Sequence, residues 1–230
     1  MKIIAVASGK GGVGKSTVAY VLARSLVKEG RTLLLDFDIC GPSVGVLMGH
    51  TSEKVLMKEK GFQPIQKTEG LYYLTIAAMI PADSAVAWRA PKKISLLKLF
   101  LESANPSEYD YVVIDMPPGV TDEHVFLCEA APNTEILIVT TSQNMALDEA
   151  ADSIEMFQNS RMKIVGVIEN MRTMTCPNCS SCIAMFSKGG GQLLSEDLGV
   201  PYLGHLDYIP DIENMDVLPE KVLSAIRKKR

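Results

Sequence analysis

The sequence predicts a single α/β domain, with a mostly parallel central sheet and helices on both of its faces. Short, nearly continuous apolar runs alternate with stretches of helical periodicity, as in strands that are buried on both sides and joined by crossover helices. A glycine-rich run follows the first strand and opens the first helix, as in a phosphate-binding loop. With 230 residues, 47% of them apolar and 22% charged, the chain is long enough for one large core, and no break in composition divides residues 1–230.

The predicted elements follow one another in a regular order. Strands are predicted at Ile3–Ala7, Thr32–Leu35, Tyr72–Ile76, Tyr111–Ile114, Ile136–Thr140 and Lys163–Ile168. Helical periodicity spans 15–29, 92–102, 121–130 and 145–159, and the least regular stretches are 41–70 and 171–191. Residues 220–230 form a short amphipathic basic tail, for which a frayed, solvated helix is favoured over contact of Val222, Leu223 and Ile226 with lipid.

Composition and charge exclude several classes of protein. The net charge of −4 argues against a general nucleic-acid surface. The longest apolar-looking stretch, Leu71–Ile80, is far shorter than the ~20 residues of a membrane span, and the N-terminus is a strand rather than a signal peptide. We therefore expect a cytoplasmic protein with no nucleic-acid partner and no stable membrane association. The five cysteines, an odd number, favour free thiols or metal ligands over a disulfide framework.

The run Ser-Gly-Lys-Gly-Gly-Val-Gly-Lys-Ser-Thr, residues 8–17, has the spacing of a loop that binds nucleotide phosphates. Its glycines lack the side chains that would keep backbone N–H groups from turning inward around an anion. Lys15 opens the following helix and reaches the β and γ phosphates of ATP, while the Ser16 hydroxyl can ligate Mg²⁺. The predicted nucleotide contacts are Gly9, Lys10, Gly11, Gly12, Val13, Gly14, Lys15, Ser16 and Thr17.

The same run also satisfies the weaker pattern G-x-G-x-x-G, which starts at Gly9 and is followed by Asp36, as in dinucleotide-binding folds. A dinucleotide loop does not need a lysine and a hydroxyl directly after its last glycine, whereas a magnesium-bound triphosphate uses both. Lys15 and Ser16 therefore favour the triphosphate. A strand before the loop and a helix after it argue against an ordinary glycine-rich turn.

Acidic side chains follow two of the predicted strands. Asp36 and Asp38 come after the second strand and lie beside the phosphate loop if the two strands are close in the sheet. We expect Asp36 to hold Mg²⁺ through water and Asp38 to orient the attacking water, although a helix cap is the alternative for a single Asp there. Asp115 ends the fourth strand and can fix hydrated Mg²⁺, and the Pro-Pro-Gly turn after it offers the Gly119 N–H to the γ phosphate.

A cysteine-bearing loop occupies about 171–191 and contains the run Cys176-Pro-Asn-Cys179-Ser-Ser-Cys182. Two thiols three residues apart can bind one soft metal together. Three thiolates leave a tetrahedral zinc or a four-iron cluster one ligand short, which suggests that Cys176 and Cys179 of two subunits share a site. Half of a zinc ribbon and a redox dithiol are the alternatives. Cys128 is expected to be a core thiol and Cys40 a loop thiol.

Lys10 directly follows the first glycine, where no lysine is needed to fill the local phosphate site. The pattern Lys-Gly-Gly-Val-Gly-Lys-Ser-Thr resembles the deviant loop of the MinD/ParA group, in which the early lysine crosses a dimer interface and touches the partner's nucleotide. The resemblance implies that ATP brings two chains face to face, with Lys10 as the trans cation that neutralises charge in the transition state. A solvent-facing lysine is the alternative.

Nearly end to end, the chain resembles the Mrp family of iron–sulfur cluster carrier ATPases, a branch of the MinD/ParA superfamily of P-loop NTPases. The resemblance rests on residues 9–17, Asp36-Phe-Asp-Ile-Cys-Gly-Pro-Ser43, Trp88-Arg-Ala-Pro91, Ile114-Asp-Met-Pro-Pro-Gly119, Val167-Ile-Glu-Asn-Met171, Cys176-Pro-Asn-Cys179, 189–191 and Gly199-Val-Pro-Tyr-Leu-Gly204. It implies a homodimer with one nucleotide per subunit, with Asn170 recognising adenine. It also implies a [4Fe-4S] cluster bridged by Cys176 and Cys179 of both chains, with ATP binding or hydrolysis gating its loading or its transfer to apoproteins. We expect slow ATP hydrolysis, because hydrolysis here would time a conformational change.

The chain also departs from the family pattern. Cys182 is a third thiol beyond the family pair, Ala90 replaces a usual glycine, Cys40 stands where tyrosine is common, and His205-Leu-Asp-Tyr replaces a more usual Ile-Pro-Leu-Asp. Three alternatives stay open: a MinD-like membrane or positioning switch, ATP-driven electron transfer as in nitrogenase iron protein, and a zinc clamp that holds the dimer. Zinc can also occupy the cysteines of aerobically prepared protein.

Overall fold

A computed structural model describes residues 1–49, 55–59, 61–79, 89–105, 107–210 and 218–227. Its strands are β1 (Lys2–Ser8), β2 (Thr32–Asp36), β3 (Ile65–Thr68), β4 (Leu71–Leu74), β5 (Tyr111–Pro118), β6 (Glu135–Thr140), β7 (Lys163–Glu169), β8 (Thr173–Thr175), β9 (Cys182–Ala184) and β10 (Tyr202–His205). Its α-helices are α1 (Lys15–Leu26), α2 (Val44–Leu47), α3 (Ala90–Glu102), α4 (Asp122–Ala130), α5 (Asn144–Asn159), α6 (Gly190–Asp197) and α7 (Glu220–Ile226). Trp88 of the family motifs and residues 228–230 of the predicted tail lie outside the described residues.

Among the described residues, one sheet contains eight strands in the order β10-β7-β6-β1-β5-β2-β4-β3. Every neighbouring pair in it is parallel except β3 with β4, which is antiparallel. The strand that precedes the glycine-rich loop therefore lies in the middle of the sheet, between β5 and β6. The predicted α/β architecture with a mostly parallel sheet is confirmed.

Alternating side chains of the central strands supply two apolar cores, one on each face of the sheet. Ile4 and Val6 of β1 belong to one core, and Ala5 and Ala7 belong to the other. Helices α1 and α7 contribute to the first core, while α3, α4 and α5 cover the second. The near-continuous apolar sequences of the central strands follow from this burial on both sides, whereas the edge strands β3 and β10 are partly exposed.

The C-terminal helix corrects one prediction. Val222, Leu223 and Ile226 of α7 are 0%, 4% and 0% exposed, and they pack into the same core as α1. This apolar face of α7 is therefore neither solvated nor available to lipid, because it is packed against the same face of the sheet as α1. None of the described helices is long and apolar enough to span a membrane.

Several elements occur where the sequence suggested little regular structure. Helix α2 and strand β3 lie within residues 41–70, and the β8–β9 hairpin and the start of α6 lie within residues 171–191. The rest of α6 and strand β10 were not predicted either. The first helix ends at Leu26 rather than near residue 29, and β5 continues four residues further than predicted, through Pro118. These elements are short, and a strand of three or four residues has too few positions to show a periodicity.

Candidate functional site

The loop between β1 and α1 depends on its glycines. Gly12 and Gly14 have φ angles of +81° and +85°, which glycine adopts without strain. A Cβ atom on Gly9 would lie 2.1 Å from the backbone carbon and oxygen of Glu149, so α5 can pack against the loop only if residue 9 has no side chain. The loop thus has the conformation in which successive N–H groups can surround an anion, at the N-terminus of α1.

Lys15 is buried at the base of the loop, where its side chain is 7% exposed. Its Nζ atom lies 2.5 Å from Oδ1 of Asp115 and 3.1 Å from Oγ of Ser16. The register of β2 and β5 pairs Asp36 with Asp115, so these two carboxylates stand side by side. Asp36 and Asp38 were expected beside the phosphate loop if the second strand were close to the first, but β5 lies between β1 and β2, and Asp115 of β5 is the acid that contacts Lys15. In this arrangement the Lys15 ammonium, which has three N–H donors, is held by Asp115 and Ser16 at the base of the loop.

Asp36 and Asp115 are both buried, and Lys15 is the cation that neutralises part of their negative charge. Burial, together with repulsion from Asp115, raises the pKa of Asp36 well above its usual value, although a 2.9 Å hydrogen bond from Thr75 Oγ1 partly opposes the shift. Burial also raises the pKa of Asp115, against the attraction of Lys15, and its Oδ2 has no hydrogen-bond partner among the described residues. An orphaned carboxylate oxygen beside a hydroxyl and a second acid fits a hydrated Mg²⁺.

The carboxylates alone do not form a complete metal site. In the described part of the chain, no group of three or more His, Cys, Asp or Glu side chains is arranged to hold a metal ion. Magnesium in nucleotide sites usually keeps several waters and takes one or two carboxylates plus phosphate oxygens. The donor set of Ser16, Asp36 and Asp115 suits that mode, in which the phosphates complete the coordination.

A cleft of about 450 Å³ opens over the loop. Asp38 lies half-buried in its wall, and its Oδ1 accepts a 2.9 Å hydrogen bond from the Gly41 N–H. Lys10 also lines the cleft and forms no ion pair with any described residue. The remaining lining residues are Ser8, Gly11, Gly12, Gly14, Lys15, Ser16, Thr17, Pro42, Ser43, Val46, Leu47 and Pro118. Seven of the predicted loop contacts, Lys10, Gly11, Gly12, Gly14, Lys15, Ser16 and Thr17, thus face one space with Asp38, whereas Gly9 and Val13 do not line it.

Gly119 differs from its predicted geometry. Its N–H donates to the Ser8 carbonyl at 2.9 Å, and its φ is +76°. The N–H group is therefore occupied by β1 rather than directed at a phosphate, because β5 continues through both prolines and carries Gly119 back alongside the end of β1. A contact with a γ phosphate requires this hydrogen bond to break.

Asn170 lies directly after β7 and is 3% exposed. Its Nδ2 donates to the Val13 carbonyl at 2.9 Å, which ties β7 to the phosphate loop. Beside it is a small pocket of about 150 Å³, lined by Thr17, Asn170, Met171, Asp207, Tyr208, Ile209 and Pro210. The predicted adenine-recognising residue therefore borders a second cavity next to the loop.

Cys176 and Cys179 lie in the turn of the β8–β9 hairpin. The Cys176 N–H donates to the Ser181 carbonyl at 2.9 Å, and Ser180 at the tip has a φ of +58°. Cys179 is exposed, and hydrogen bonds with Ser181 and with the Cys176 thiol lower its pKa. A lowered pKa favours the thiolate, which is the form that binds metal.

The other cysteines differ in position. Cys182 begins β9 and is exposed, opposite Thr175 in the hairpin register. It does not complete a metal-holding group of three with the first two cysteines in the described chain. Cys128 is partly buried on α4, where burial raises the pKa of its thiol, and Cys40 is exposed. These two positions agree with the predicted core thiol and loop thiol.

Buried residues at the start of α4 were missed by the sequence reasoning. Glu123 is 2% exposed, and one of its oxygens lies 2.5 Å from Nζ of Lys93 on α3. His124 is fully buried, and its Nδ1 accepts a hydrogen bond from the Thr121 N–H at 3.3 Å. The run Thr-Asp-Glu-His, one residue after the Pro-Pro-Gly turn, resembles a capping box, and this was the signal that could have identified them. These contacts position the helix that follows Gly119.

Comparisons with known proteins agree with this geometry. A family model of ParA, described as the NUBPL iron-transfer P-loop NTPase, matches residues 1–228. A cytosolic Fe-S cluster assembly factor NUBP2 homolog from Culex quinquefasciatus is 42% identical over 217 residues, which are 91% of this chain and 84% of that protein. The cytosolic Fe-S cluster assembly factor NUBP2 of Homo sapiens is 36% identical over 215 residues, 90% of this chain and 79% of that protein.

Solved structures show the same architecture. A nucleotide-binding protein from Archaeoglobus fulgidus, in complex with ADP, has a TM-score of 0.75 and 26% identity, with 98% of this chain and 87% of that chain covered. The septum site-determining protein MinD from Pyrococcus horikoshii, complexed with Mg-ADP, shares the fold at a TM-score of 0.59 and 21% identity, over 98% and 86% of the two chains. The resemblance stated from the sequence is confirmed, and the chain belongs to the ParA family of NUBPL-type iron-transfer P-loop NTPases.

Proposed function

We propose that this protein is an ATP-hydrolysing carrier that holds an iron–sulfur cluster between two copies of itself and passes the cluster to apoproteins. The observation that carries the proposal is the position of the thiol pair. Cys176 and Cys179 are displayed on a hairpin that follows β7, the strand whose next residue, Asn170, contacts the phosphate loop. One strand therefore connects a metal-binding group to a nucleotide-binding group.

In the proposed site, Lys15 leaves Asp115 and binds the β and γ phosphates. Ser16, Asp36 and Asp115 hold the hydrated magnesium ion, which neutralises phosphate charge when bound. Asp38 faces the cleft and orients the attacking water, while Asn170 recognises the adenine. We propose slow turnover, since hydrolysis here times a conformational change rather than supplying product.

The cluster is the cargo of this cycle. One chain offers two neighbouring thiols, whereas a four-iron cluster takes four thiolates, so two chains together supply Cys176 and Cys179 twice. The names of the relatives, cytosolic Fe-S cluster assembly factors, support both the cargo and a cytoplasmic place of action. The exposure of Cys179 supports transfer, because a recipient's thiols can reach the cluster.

The proposal is tested by measuring iron and acid-labile sulfide after anaerobic reconstitution. We expect about four of each per dimer, and we expect the Cys176→Ala/Cys179→Ala variant to lose both. Cys182→Ala is the matched control, because it removes an exposed thiol from the same hairpin and is expected to retain the cluster. Transfer is then followed by the activity gained by an apo four-iron enzyme.

Two results would contradict the proposal. Zinc without iron would make the cysteines structural and favour a dimerising ATP switch of the MinD kind. Iron that survives the double substitution would place the cluster elsewhere.

A further inference from the structure

The hairpin that carries the cysteines is attached to the small pocket beside the phosphate loop. We propose that residues 170–173 and 206–208 form a rigid link through which a nucleotide base in that pocket raises the affinity of the cysteine pair for metal. This inference rests on the proposed function for its biological use, although the link itself is tested without cluster transfer.

The first part of the link fixes residues 170 and 171 to the phosphate loop. Asn170 Nδ2 donates to the Val13 carbonyl at 2.9 Å, and a Cβ atom on Gly14 would lie 2.2 Å from the same Nδ2. The Met171 Cε atom would lie 3.4 Å from that Cβ position. Both side chains therefore lie against the phosphate loop, and the hydrogen bond to Val13 ties Asn170 to its backbone.

The backbone conformation of Met171 orients the chain that enters the β8–β9 hairpin. Its φ is +54°, in the left-handed region, a narrow conformation for a residue with a long side chain. The next residue, Arg172, donates its N–H to the Leu206 carbonyl at 3.0 Å and accepts from the Met185 N–H at 3.1 Å. The position of Asn170 therefore determines where the hairpin begins.

The second part of the link lies on the opposite wall of the pocket. The Thr173 carbonyl accepts a 2.7 Å hydrogen bond from the Tyr208 N–H, and the Thr173 hydroxyl donates to the Asp207 carboxylate. Asp207 and Tyr208 line the pocket together with Asn170 and Met171. A base that fills the pocket contacts both segments that hold β8, and so restricts the motion of the hairpin.

Restriction of the hairpin favours metal binding, because the two thiols lose less conformational freedom when the metal joins them. By thermodynamic reciprocity, metal on the thiols must strengthen nucleotide binding by the same factor. The link thus predicts a coupling that can be measured from either site.

The experiment uses Co²⁺ as the metal probe, detected by its thiolate charge-transfer absorbance, and Mg·ADP as the nucleotide. We expect saturating Mg·ADP to lower the dissociation constant for Co²⁺ by about fivefold or more in the wild type. In Met171→Gly, which allows both signs of φ at the hinge, the factor is expected to fall below about twofold. Arg161→Gly is the matched control, since Arg161 also has a positive φ, of +58°, but follows α5 outside the link.

A second pair of variants tests the other wall. Thr173→Val removes the hydroxyl that donates to Asp207 and is expected to reduce the coupling, whereas Thr175→Val changes an exposed threonine of the same strand and is expected to retain it. Light scattering at each step keeps the comparison between samples of equal oligomeric state. Unchanged Co²⁺ affinity with Mg·ADP in the wild type, weaker Co²⁺ binding, or full coupling in Met171→Gly would overturn the proposal.

The failure of this link and the failure of the proposed function give different results. A protein that transfers clusters but shows no Co²⁺ and ADP coupling keeps the function and loses the link. A protein that shows the coupling but never binds iron keeps the link and loses the cargo.

Discussion

A Cβ atom on Gly9 would meet the backbone of Glu149 at 2.1 Å, whereas one on Gly11 would have its nearest neighbour, Pro118 Cγ, at 4.0 Å. The two glycines are both needed by the sequence pattern, yet only the first is enclosed by protein. We predict that Gly9→Ala lowers the free energy of unfolding by about 2 kcal/mol or more, because helix backbone cannot move aside as a side chain can. Gly11→Ala is the control and is expected to change it by less than about 0.5 kcal/mol.

Urea unfolding of both variants measures the difference. Equal losses would mean that α5 shifts to accommodate a methyl group at residue 9, contrary to the close packing described above.

His124 gives a second prediction at this scale. Burial lowers the pKa of His124 to about 4, so the folded protein keeps its imidazole neutral while the unfolded chain protonates it near the ordinary value of 6.5. Because the unfolded state binds more protons between these values, His124 makes the protein less stable as the pH falls below about 6.5. Between pH 7 and pH 5 we expect this residue to reduce the free energy of unfolding by about 2 kcal/mol.

The raised pKa values of Asp36 and Asp115 change stability in the opposite sense, and the lowered pKa of Glu123 changes it in the same sense as His124. The contribution of His124 is therefore isolated by comparison with His124→Asn. We expect the variant to be less stable at pH 7 and the gap to narrow by about 2 kcal/mol at pH 5. A gap that stays constant with pH would show that the imidazole titrates alike in both states.

At the level of elements, helices α3 and α4 are joined by the buried ion pair of Lys93 and Glu123. The hydrogen bond from Lys93 holds the pKa of Glu123 below its ordinary value, although burial alone would raise it. We predict that Lys93→Met costs about 3 kcal/mol, because it leaves a carboxylate buried without its cation. Lys163→Met is the control: Lys163 is 68% exposed and pairs with Glu135 at 2.5 Å, and its loss is expected to cost less than about 1 kcal/mol.

The two free energies of unfolding are compared in urea. Similar small losses would mean that Glu123 either finds another donor or becomes protonated at little cost.

Strands that are buried on both faces of the sheet could be predicted from the sequence, because they consist almost entirely of apolar residues. Asp36 and Asp115 were both assigned to magnesium from the sequence, but their side-by-side position depends on the strand order, in which β5 lies between β1 and β2. Helix α6 could not be predicted, since it begins with Gly190 and Gly191, which are poor helix formers. A Cβ on Gly190 would lie 2.6 Å from Leu147 Cδ1 and 3.3 Å from the backbone Cα of Ser142, so close packing, rather than helix propensity, favours glycine there.

The site was predictable to a similar extent. Motif spacing identified the loop residues and the cysteine pair, but a motif contains no information on which hydrogen bonds its backbone makes. The Gly119 N–H was expected to face a phosphate and instead donates to Ser8, because the length of β5 is set by its pairing with β1. Glu123 and His124 were missed because a charged helix start is normally read as a solvated one.

At the scale of the whole molecule, the nucleotide cleft and the cysteine hairpin both lie after the carboxyl ends of parallel strands, β1 and β7. This edge of the sheet therefore carries every residue to which the proposed function assigns chemistry. In the proposed homodimer, two copies that meet along this edge would bring their thiol pairs and their phosphate loops together in one interface. Dimerisation would then complete both the nucleotide site and the cluster site.

This arrangement predicts that Lys10 acts on the partner's nucleotide, which complementation between two inactive variants can test. We expect Lys10→Ala and Lys15→Ala each to lose ATP hydrolysis, since one lacks the trans cation and the other lacks its own phosphate ligand. In a mixed dimer, the Lys10→Ala subunit keeps Lys15 and receives Lys10 from its partner, so one of the two sites is complete. An equal mixture that exchanges subunits should recover about a quarter of the wild-type rate, because half of the dimers are mixed and each has one working site. Co-purification of untagged Lys15→Ala with tagged Lys10→Ala controls for exchange. No recovery despite exchange would place Lys10 in its own site, and the charge it neutralises would then belong to its own nucleotide.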